Sequence, residues 1–435
     1  MLIEFSIQNF RSIKEEVIFS LVASSDKSLN NNLIENDTLK KDKLLRSAII
    51  YGPNASGKSN VVLAFNSLEN LVLNSHRFQK GTMINYSPFK LDNSYLSKPT
   101  KFEIVFIKNN IKYVYGVSFT NEKIIDEYLF YYPKGHKSLI FERKDTYNYK
   151  FTVDRRSQKF ISEKTLENVL YLSNSTQLNY KKTAEAFDWF KDTLRIVGAT
   201  DHPRLINETV ELFNSDKELK ETIIKALIIA DVGIIDLSAT IEKVPIENVS
   251  LGNLENFPNV MKNLKKDLII LAKDDKGVQF VNMDIKTIHK AINDKGDEYK
   301  VEFEFEEESE GTKRLFSLIG PWIYALKKGN ILVVDELDTK LHHLLNVFLI
   351  NLFHDPDQNK NNAQLIFTSH NTNLLNLDLF RRDQIWFTVK KPKIGSTDLY
   401  SLLEFSPRKD KNIQIGYLEG RYGAIPFISG EKVIA

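Results

Sequence analysis

The sequence predicts an α/β fold, and three features carry that expectation. The apolar run LLRSAIIY (44–51) is followed at once by the glycine-bracketed GPNASGKS and then by KSNVVLAFNSLENLVLN, whose apolar residues recur at helical spacing. A second apolar run, NILVVDE (330–336), ends in two acids and leads into another helical pattern. Between them, residues 100–145 alternate in the manner of antiparallel strands.

The bulk numbers suit this. A chain of 435 residues is long enough for roughly two or three domains. Fifty-nine basic residues against 57 acidic ones leave a net charge of +2, which neither demands nor excludes a nucleic-acid partner. With no cysteine, disulfides and cysteine-held zinc are excluded, and a reducing compartment is comfortable. The opening MLIEFSIQNFRS lacks the basic-then-apolar order of a signal peptide, and no window approaches the ~20 apolar residues of a membrane helix. The expectation is a cytoplasmic protein with no membrane partner.

In chain order, residues 2–21 alternate as a half-buried strand pair, with Leu2, Glu4 and Ser6 against Ile3, Phe5 and Ile7, then EVIFSLVA. SSDKSLNNNLIENDTLKKDK is a polar loop, and LLRSAIIY, apolar without alternation, suits a buried parallel strand. Four strands are expected over 100–145: TKFEIVFI, IKYVYGVSFT, KIIDEYLFYY and KSLIFERK, with Asn109–Asn110 turning between the first two. From about 160 to 275 the rhythm becomes helical, in KTAEAFDWFKDTL, INETVELFNSD and LKETIIKALIIADVGI, without the sustained heptads of a coiled coil. EFEFEEESE (302–310) is read as a strand with Phe303 and Phe305 buried and its glutamates in water. GTKRLFSLIGPWIYALKK is helical with a kink expected at Pro321, and LDTKLHHLLNVFLINLF is helical again. AQLIFTSHN (363–371), QIWFTVK (384–390) and STDLYSLLEF (396–405) complete the strands, and there is no internal repeat.

The chemistry begins at residues 52–59, which fit the pattern of a glycine, four residues, then Gly-Lys-Ser. Glycines let the backbone curl so that several N–H groups face one anion, and the helix start adds its partial positive charge. Lys58 would reach the β and γ phosphates and Ser59 would put its hydroxyl on Mg²⁺. In ILVVDE the acids Asp335 and Glu336 end a buried strand, where one carboxylate supports the metal and the next poises a water. Alone, four apolar residues and an acid form a weak signal; paired with the phosphate loop they form a strong one.

These motifs, together with IQNFRSI (7–13), ESEGTKRLFSL (308–318), LDTKLH (337–342) and FTSHN (367–371), resemble the ATP-binding-cassette ATPases in their SMC/RecF-like branch, over roughly 1–110 and 300–390. FSLVASSDKS (19–28), YSPFKLD (86–92) and YLEGRYGAIPF (417–427) are similar to the stand-alone AbiLi/RloA-type ATPases of phage-defence operons. The resemblance implies an ABC-type P-loop head with an antiparallel β subdomain and a helical insertion. Residues 1–160 would be the N-terminal part of the head, 161–300 a mainly helical insertion, and 301–435 the C-terminal part.

It implies roles as well. ATP with Mg²⁺ would lie against Asn54, Ala55, Ser56, Gly57, Lys58, Ser59 and Asn60, with Arg11 a candidate contact to phosphate or adenine. Asp335 would support the metal beside Ser59, Glu336 would be the base, and His370 would sense the γ phosphate. Two heads would meet face to face, with Ser309 and Gly311 of one copy completing the site of the other in a head-to-head dimer or larger homo-oligomer. Glu310 stands where the family has glycine, so its side chain must point away from the phosphate. The resemblance places no residue as the family's Q-loop glutamine, and the surroundings of Gln79 do not single it out.

Without the family, Ser309 and Gly311 read as a helix cap and His370 as a strand-end histidine. His342, His343 and His354 fit no strong ligand spacing, Asp355-Pro356-Asp357 reads as a turn, and the aromatics of EYLFYYPKG read as sheet core. Only 65 residues follow His370, with no second acidic constellation such as the Toprim nuclease of overcoming-lysogenisation-type proteins, so an effector, with a nuclease as the candidate, would be separately encoded. The leading expectation is an ATP-hydrolysing sensor or scaffold in phage defence. The alternatives are a DNA-repair or DNA-maintenance ATPase that binds duplex DNA, and a nucleotide-dependent binding module with little turnover.

Overall fold

In the computed structural model, which describes residues 1–230, 232–244, 268–274, 277–408 and 411–425, the buried runs become the centre of a six-stranded sheet. Its order is Leu194–Val197, Ile331–Val334, Gln364–Thr368, Ser47–Tyr51, Ile385–Lys390, Thr397–Ser401. The first five strands run parallel, and the last pairs antiparallel with its neighbour. A parallel strand covered on both faces has no reason to alternate, and Ser47–Tyr51, Ile331–Val334 and Gln364–Thr368 are buried at every residue.

The helix Lys58–Asn74 buries Val61, Ala64, Phe65, Leu68 and Val72 at helical spacing. These residues share one core with Ile50, Val333 and Ile366 of this sheet and with Phe5, Phe102 and Ile104 of a second sheet. Phe5 and Phe65 meet with ring centroids 4.2 Å apart. The second sheet is antiparallel, in the order Asn148–Phe151, Ser138–Lys144, Ile124–Tyr131, Ile111–Phe119, Thr100–Lys108, Leu2–Gln8, Val17–Ser20. The expected N-terminal strand pair therefore extends the expected four strands as one sheet. Buried Gln364 ties the two sheets: its Oε1 accepts from Leu2 N at 2.6 Å, and its Nε2 donates to Leu2 O and Leu45 O, each at 3.1 Å. The polar loop after residue 23 is anchored by the buried guanidinium of Arg381, which donates to Asp26 O and Ser28 O and pairs with Asp383 at 2.8 Å.

Two compact units divide the chain: residues 1–198, 328–337 and 350–435 form one, and 199–327 with 338–349 the other. The expected boundaries near 160 and 300 coincide with neither. Helices Tyr171–Gln177 and Lys181–Asp192 belong to the first unit because Trp189 and Phe190 bury against Phe106, at centroid distances of 4.3 and 5.9 Å. Of the stretch expected to be mainly helical, residues 231, 245–267 and 275–276 lie outside the described residues, as do the last two of YLEGRYGAIPF. The described part is only partly helical. Helices His202–Ser215 and Lys217–Ile229 are followed by a four-stranded antiparallel sheet built on the long strand Gly277–Ile292. Ile234–Val244 pairs along one side of that strand, and Leu268–Asp274 and Glu298–Glu304 along the other.

Also in the second unit, the helix Glu310–Lys328 continues through Pro321 as one element. Proline has no N–H for the carbonyl of Ser317, and Thr209 Oγ1 donates to that carbonyl at 3.3 Å instead. Phe305 is buried as expected, but Phe303 is 38% exposed, because its strand is covered on neither face. Among the described residues no helix is long and apolar enough to cross a membrane.

Candidate functional site

The parallel strands of the six-stranded sheet end on one edge, and their C-terminal ends carry the candidate chemistry, as in open α/β sheets generally. Ser47–Tyr51 runs into the glycine loop, Ile331–Val334 into Asp335 and Glu336, Gln364–Thr368 into His370, and Ile385–Lys390 ends at Lys390. Ser12, loop 54–60, Glu336, His370 and Lys390 line a cavity of about 400 Å³.

The loop's shape follows from its glycines. Gly57 has φ +111 and precedes the helix, and non-glycine Ala55 also has positive φ at +61. A Cβ on Gly57 would lie 2.2 Å from Thr397 Oγ1, and one on Gly52 2.4 Å from Thr388 Oγ1 and 2.5 Å from Thr388 O. Both positions are closed to any side chain. A chain of hydroxyls braces the loop: Ser56 Oγ meets Thr388 Oγ1 at 2.6 Å, Thr397 Oγ1 donates to Ser56 O at 2.7 Å, and Ser12 Oγ meets Thr397 Oγ1 at 2.7 Å. Asn60 Nδ2 donates to Ser12 Oγ at 2.6 Å. Lys58 is buried, and its Nζ donates to Gly52 O at 2.8 Å and Pro53 O at 3.2 Å.

The second motif meets the first directly, and one threonine ties its two acids together. Ser59 Oγ donates to Asp335 Oδ1 at 3.2 Å, Thr368 Oγ1 donates to the same oxygen at 2.7 Å, and Glu336 N donates to Thr368 Oγ1 at 2.8 Å. Glu336 has φ +52, a left-handed conformation costly for a non-glycine residue, which characteristically marks functional sites. Its Oε1 lies 4.0 Å from His370 Nε2, and both side chains are partly exposed to the cavity. Ser59 Oγ and Asp335 Oδ1 are adjacent hard oxygen donors of the kind Mg²⁺ takes, so the residues fit that ion. The closed glycine positions and the helix start fit a phosphate chain.

The structure thus brings Asn54, Ala55, Ser56, Gly57, Lys58, Ser59, Asn60, Glu336 and His370 to one cavity, with Asp335 behind it. Arg11 is exposed and does not line the cavity, although its neighbour Ser12 does. Gln79 is exposed and does not line it either. Ser309 and Gly311 belong to the second unit. There Ser309 Oγ accepts from Thr312 N at 3.1 Å, capping the helix Glu310–Lys328. Glu310, required to point away from a phosphate, has its carboxylate held by Lys340 at 2.7 Å and Lys313 at 3.4 Å, and those bonds lower its pKa. His354 is no ligand: it is buried, with Nε2 2.7 Å from Ser47 Oγ.

The sequence reasoning missed Ser12, Thr368, Thr388, Lys390 and Thr397. Thr368 stands inside the quoted FTSHN, two residues before His370, and its place at the end of a buried strand was the one available signal. Thr388 and Thr397 meet the loop from strands more than 300 residues away, and Ser12 reaches Asn60 from a turn 48 residues before it, so none of them leaves a local pattern.

No curated protein matches the chain. Among solved structures, a crystal structure of an SmcHead bound to the C-winged helix domain of ScpA is similar at 13% identity with a TM-score of 0.39, covering 92% of this chain and 97% of that one. The family described as "AAA domain, putative AbiEii toxin, Type IV TA system" matches residues 47–376, from the strand before the glycine loop to just past His370, and with about three quarters of its length so matched the chain belongs to that family of P-loop ATPase domains.

Proposed function

We propose that the chain binds ATP with Mg²⁺ in the cavity and hydrolyses it to ADP and phosphate. The observation that supports this most directly is the hydrogen-bonded chain from Ser59 through Asp335 and Thr368 to Glu336, which joins the phosphate loop to a candidate base. Lys58 exchanges two neutral carbonyl acceptors for charged phosphate oxygens, which accept stronger hydrogen bonds. Ser59 and Asp335 hold the Mg²⁺, which supplies charge neutralisation at the phosphates. Glu336 takes the proton of the attacking water, and His370 lies within reach of the same space. Ser309 and Gly311 of a second copy would close the site, so that ATP favours the paired state and hydrolysis releases it.

The family description, with its toxin and toxin–antitoxin wording, supports a role in bacterial defence or growth arrest. In that reading the ATPase holds or releases a separately encoded effector.

The test combines titration calorimetry with phosphate-release kinetics. Lys58→Ala should lose ATP binding. Glu336→Gln should keep it, lose about 10²–10⁴-fold in turnover and accumulate a paired species on a sizing column. Wild-type turnover by Glu336→Gln would remove the base assignment. For the biological role, both variants should lose protection against phage in cells carrying the neighbouring genes. ATP-dependent, salt-sensitive duplex binding without protection would move the role to DNA maintenance.

A further inference from the structure

The strand Glu298–Glu304 (EYKVEFE) forms the end of the second unit's sheet on one side. It pairs with Lys286–Ile292 of the long strand, and among the described residues no strand pairs with its other edge. Six of its seven residues are exposed and Val301 is half-buried. An open edge of this length is a template for another strand.

The direction of its free backbone groups can be read from the hairpin. Asn293 N donates to Asp297 O at 3.0 Å, so residues 293 and 297 form a hydrogen-bonded pair. Such pairs alternate along an antiparallel ladder, and the register continues without a shift from Ile292↔Glu298 to Lys286↔Glu304. Tyr299, Val301 and Phe303 therefore spend their N–H and C=O groups inward. Those of Glu298, Lys300, Glu302 and Glu304 point outward.

The sequence of this edge is self-complementary about Val301. If a second copy approaches antiparallel with Val301 opposite Val301, then Lys300 faces Glu302 twice, and Tyr299 faces Phe303 twice. The charged pairs fall on one face and the aromatic pairs on the other. Lys300 and Glu302 are also the outward-pointing residues, so their backbones form the hydrogen-bonded pairs of the new ladder. Only Glu298 and Glu304 meet as like charges, and each already has a cation of its own chain: Lys290 for Glu298, and Lys286 at 3.9 Å for Glu304. Tyr299 is 51% and Phe303 38% exposed, which is apolar surface for the pairing to cover. Charges on an edge ordinarily keep it single; here their order attracts an inverted copy of itself.

We propose that two chains join through this edge, Glu298–Glu304 against Glu298–Glu304, on a two-fold axis at Val301. The interface does not depend on nucleotide. One seven-residue strand pair is smaller than a standard interface, so the association is weak and concentration-dependent, in the micromolar range.

Sedimentation of the full chain without nucleotide tests this. Wild type should show a concentration-dependent monomer–dimer equilibrium. Lys300→Glu and Glu302→Lys should each weaken it by about tenfold or more, because two symmetry-related pairs turn repulsive together. The double swap should restore it. Lys300→Pro, which removes an outward N–H and leaves the inner ladder intact, should also abolish it. The chain has no cysteine, so Val301→Cys should form a disulfide-linked dimer under mild oxidation, since a non-hydrogen-bonded pair brings the two Cβ atoms close. Glu298→Cys should not, because its copies would sit about 20 Å apart at six residues' offset. A wild-type chain that stays monomeric, a dimer indifferent to the single swaps, or a Val301→Cys variant that folds without cross-linking would each overturn the proposal.

Discussion

At the residue scale, one hydroxyl joins the two halves of the site. Thr368 Oγ1 donates to Asp335 and accepts from Glu336 N, so it fixes the Asp335 carboxylate and the backbone turn that presents the candidate base. Thr368→Val keeps the shape and removes both bonds. The strained φ at Glu336 then loses one of its constraints, while Lys58 and the glycine loop are untouched. ATP hydrolysis should fall about ten- to a hundredfold, the equivalent of roughly 1–3 kcal/mol, with KM for ATP nearly unchanged, and Thr368→Ser should recover most of it. A variant that loses affinity instead would mean that Thr368 supports the loop rather than the base. That Lys58, Ser59, Asp335 and Glu336 would come together was legible because each pair stands in adjacent residues of a compact motif. Thr368 was not singled out, because its importance arises from a strand lying between the loop strand and the acidic strand, and order within a sheet leaves no mark on neighbouring residues.

At the scale of elements, the helix Glu310–Lys328 shows what a local rule predicts and what it omits. The proline pointed to a kink; the structure supplies a donor to the freed carbonyl from Thr209, on the helix His202–Ser215. The adjacent Gly320 lets the helices approach, since a Cβ there would lie 2.7 Å from Thr209 Cα. Thr209→Val should cost about 1–3 kcal/mol by leaving Ser317 O unsatisfied in a buried place. Gly320→Ala should cost at least as much, because backbone rather than a flexible side chain must move. Urea unfolding of the two variants checks the order, and a neutral Gly320→Ala would show that the helices separate freely. The strand Gly277–Ile292 was overlooked for a different reason. Met283, Ile285 and Thr287 are buried at a period of two, a readable strand signal, but the family resemblance implies a mainly helical insertion over the whole of 161–300.

At the scale of the molecule, the first unit is assembled from three segments of the chain, and buried polar residues hold those segments in register. The class of fold was legible because each buried strand is a compact apolar run. The unit boundaries were not, because they depend on which sheet Trp189 and Phe190 bury against. His354 gives the first unit a pH limit. Gln384 Nε2 donates to Ser47 Oγ at 2.9 Å, which leaves the serine hydroxyl proton for Nε2 of a neutral ring. Burial first, and the nearby Arg46 second, lower the His354 pKa from 6.5 to about 3. Between those values the unfolded chain binds a proton that the folded chain refuses, so stability is complete above pH 6.5 and is lost as pH falls toward about 3. At about pH 5.5 this histidine alone should cost on the order of 1 kcal/mol relative to neutral pH. His76 and His202, also lowered by burial, act in the same direction. His354→Gln removes the titrating group and keeps a polar partner for Ser47. Its urea midpoint should start lower at neutral pH and fall less on acidification to about pH 5.5, whereas an equal fall in both proteins would mean that His354 is charged in the fold and that its contact with Ser47 is made by an imidazolium.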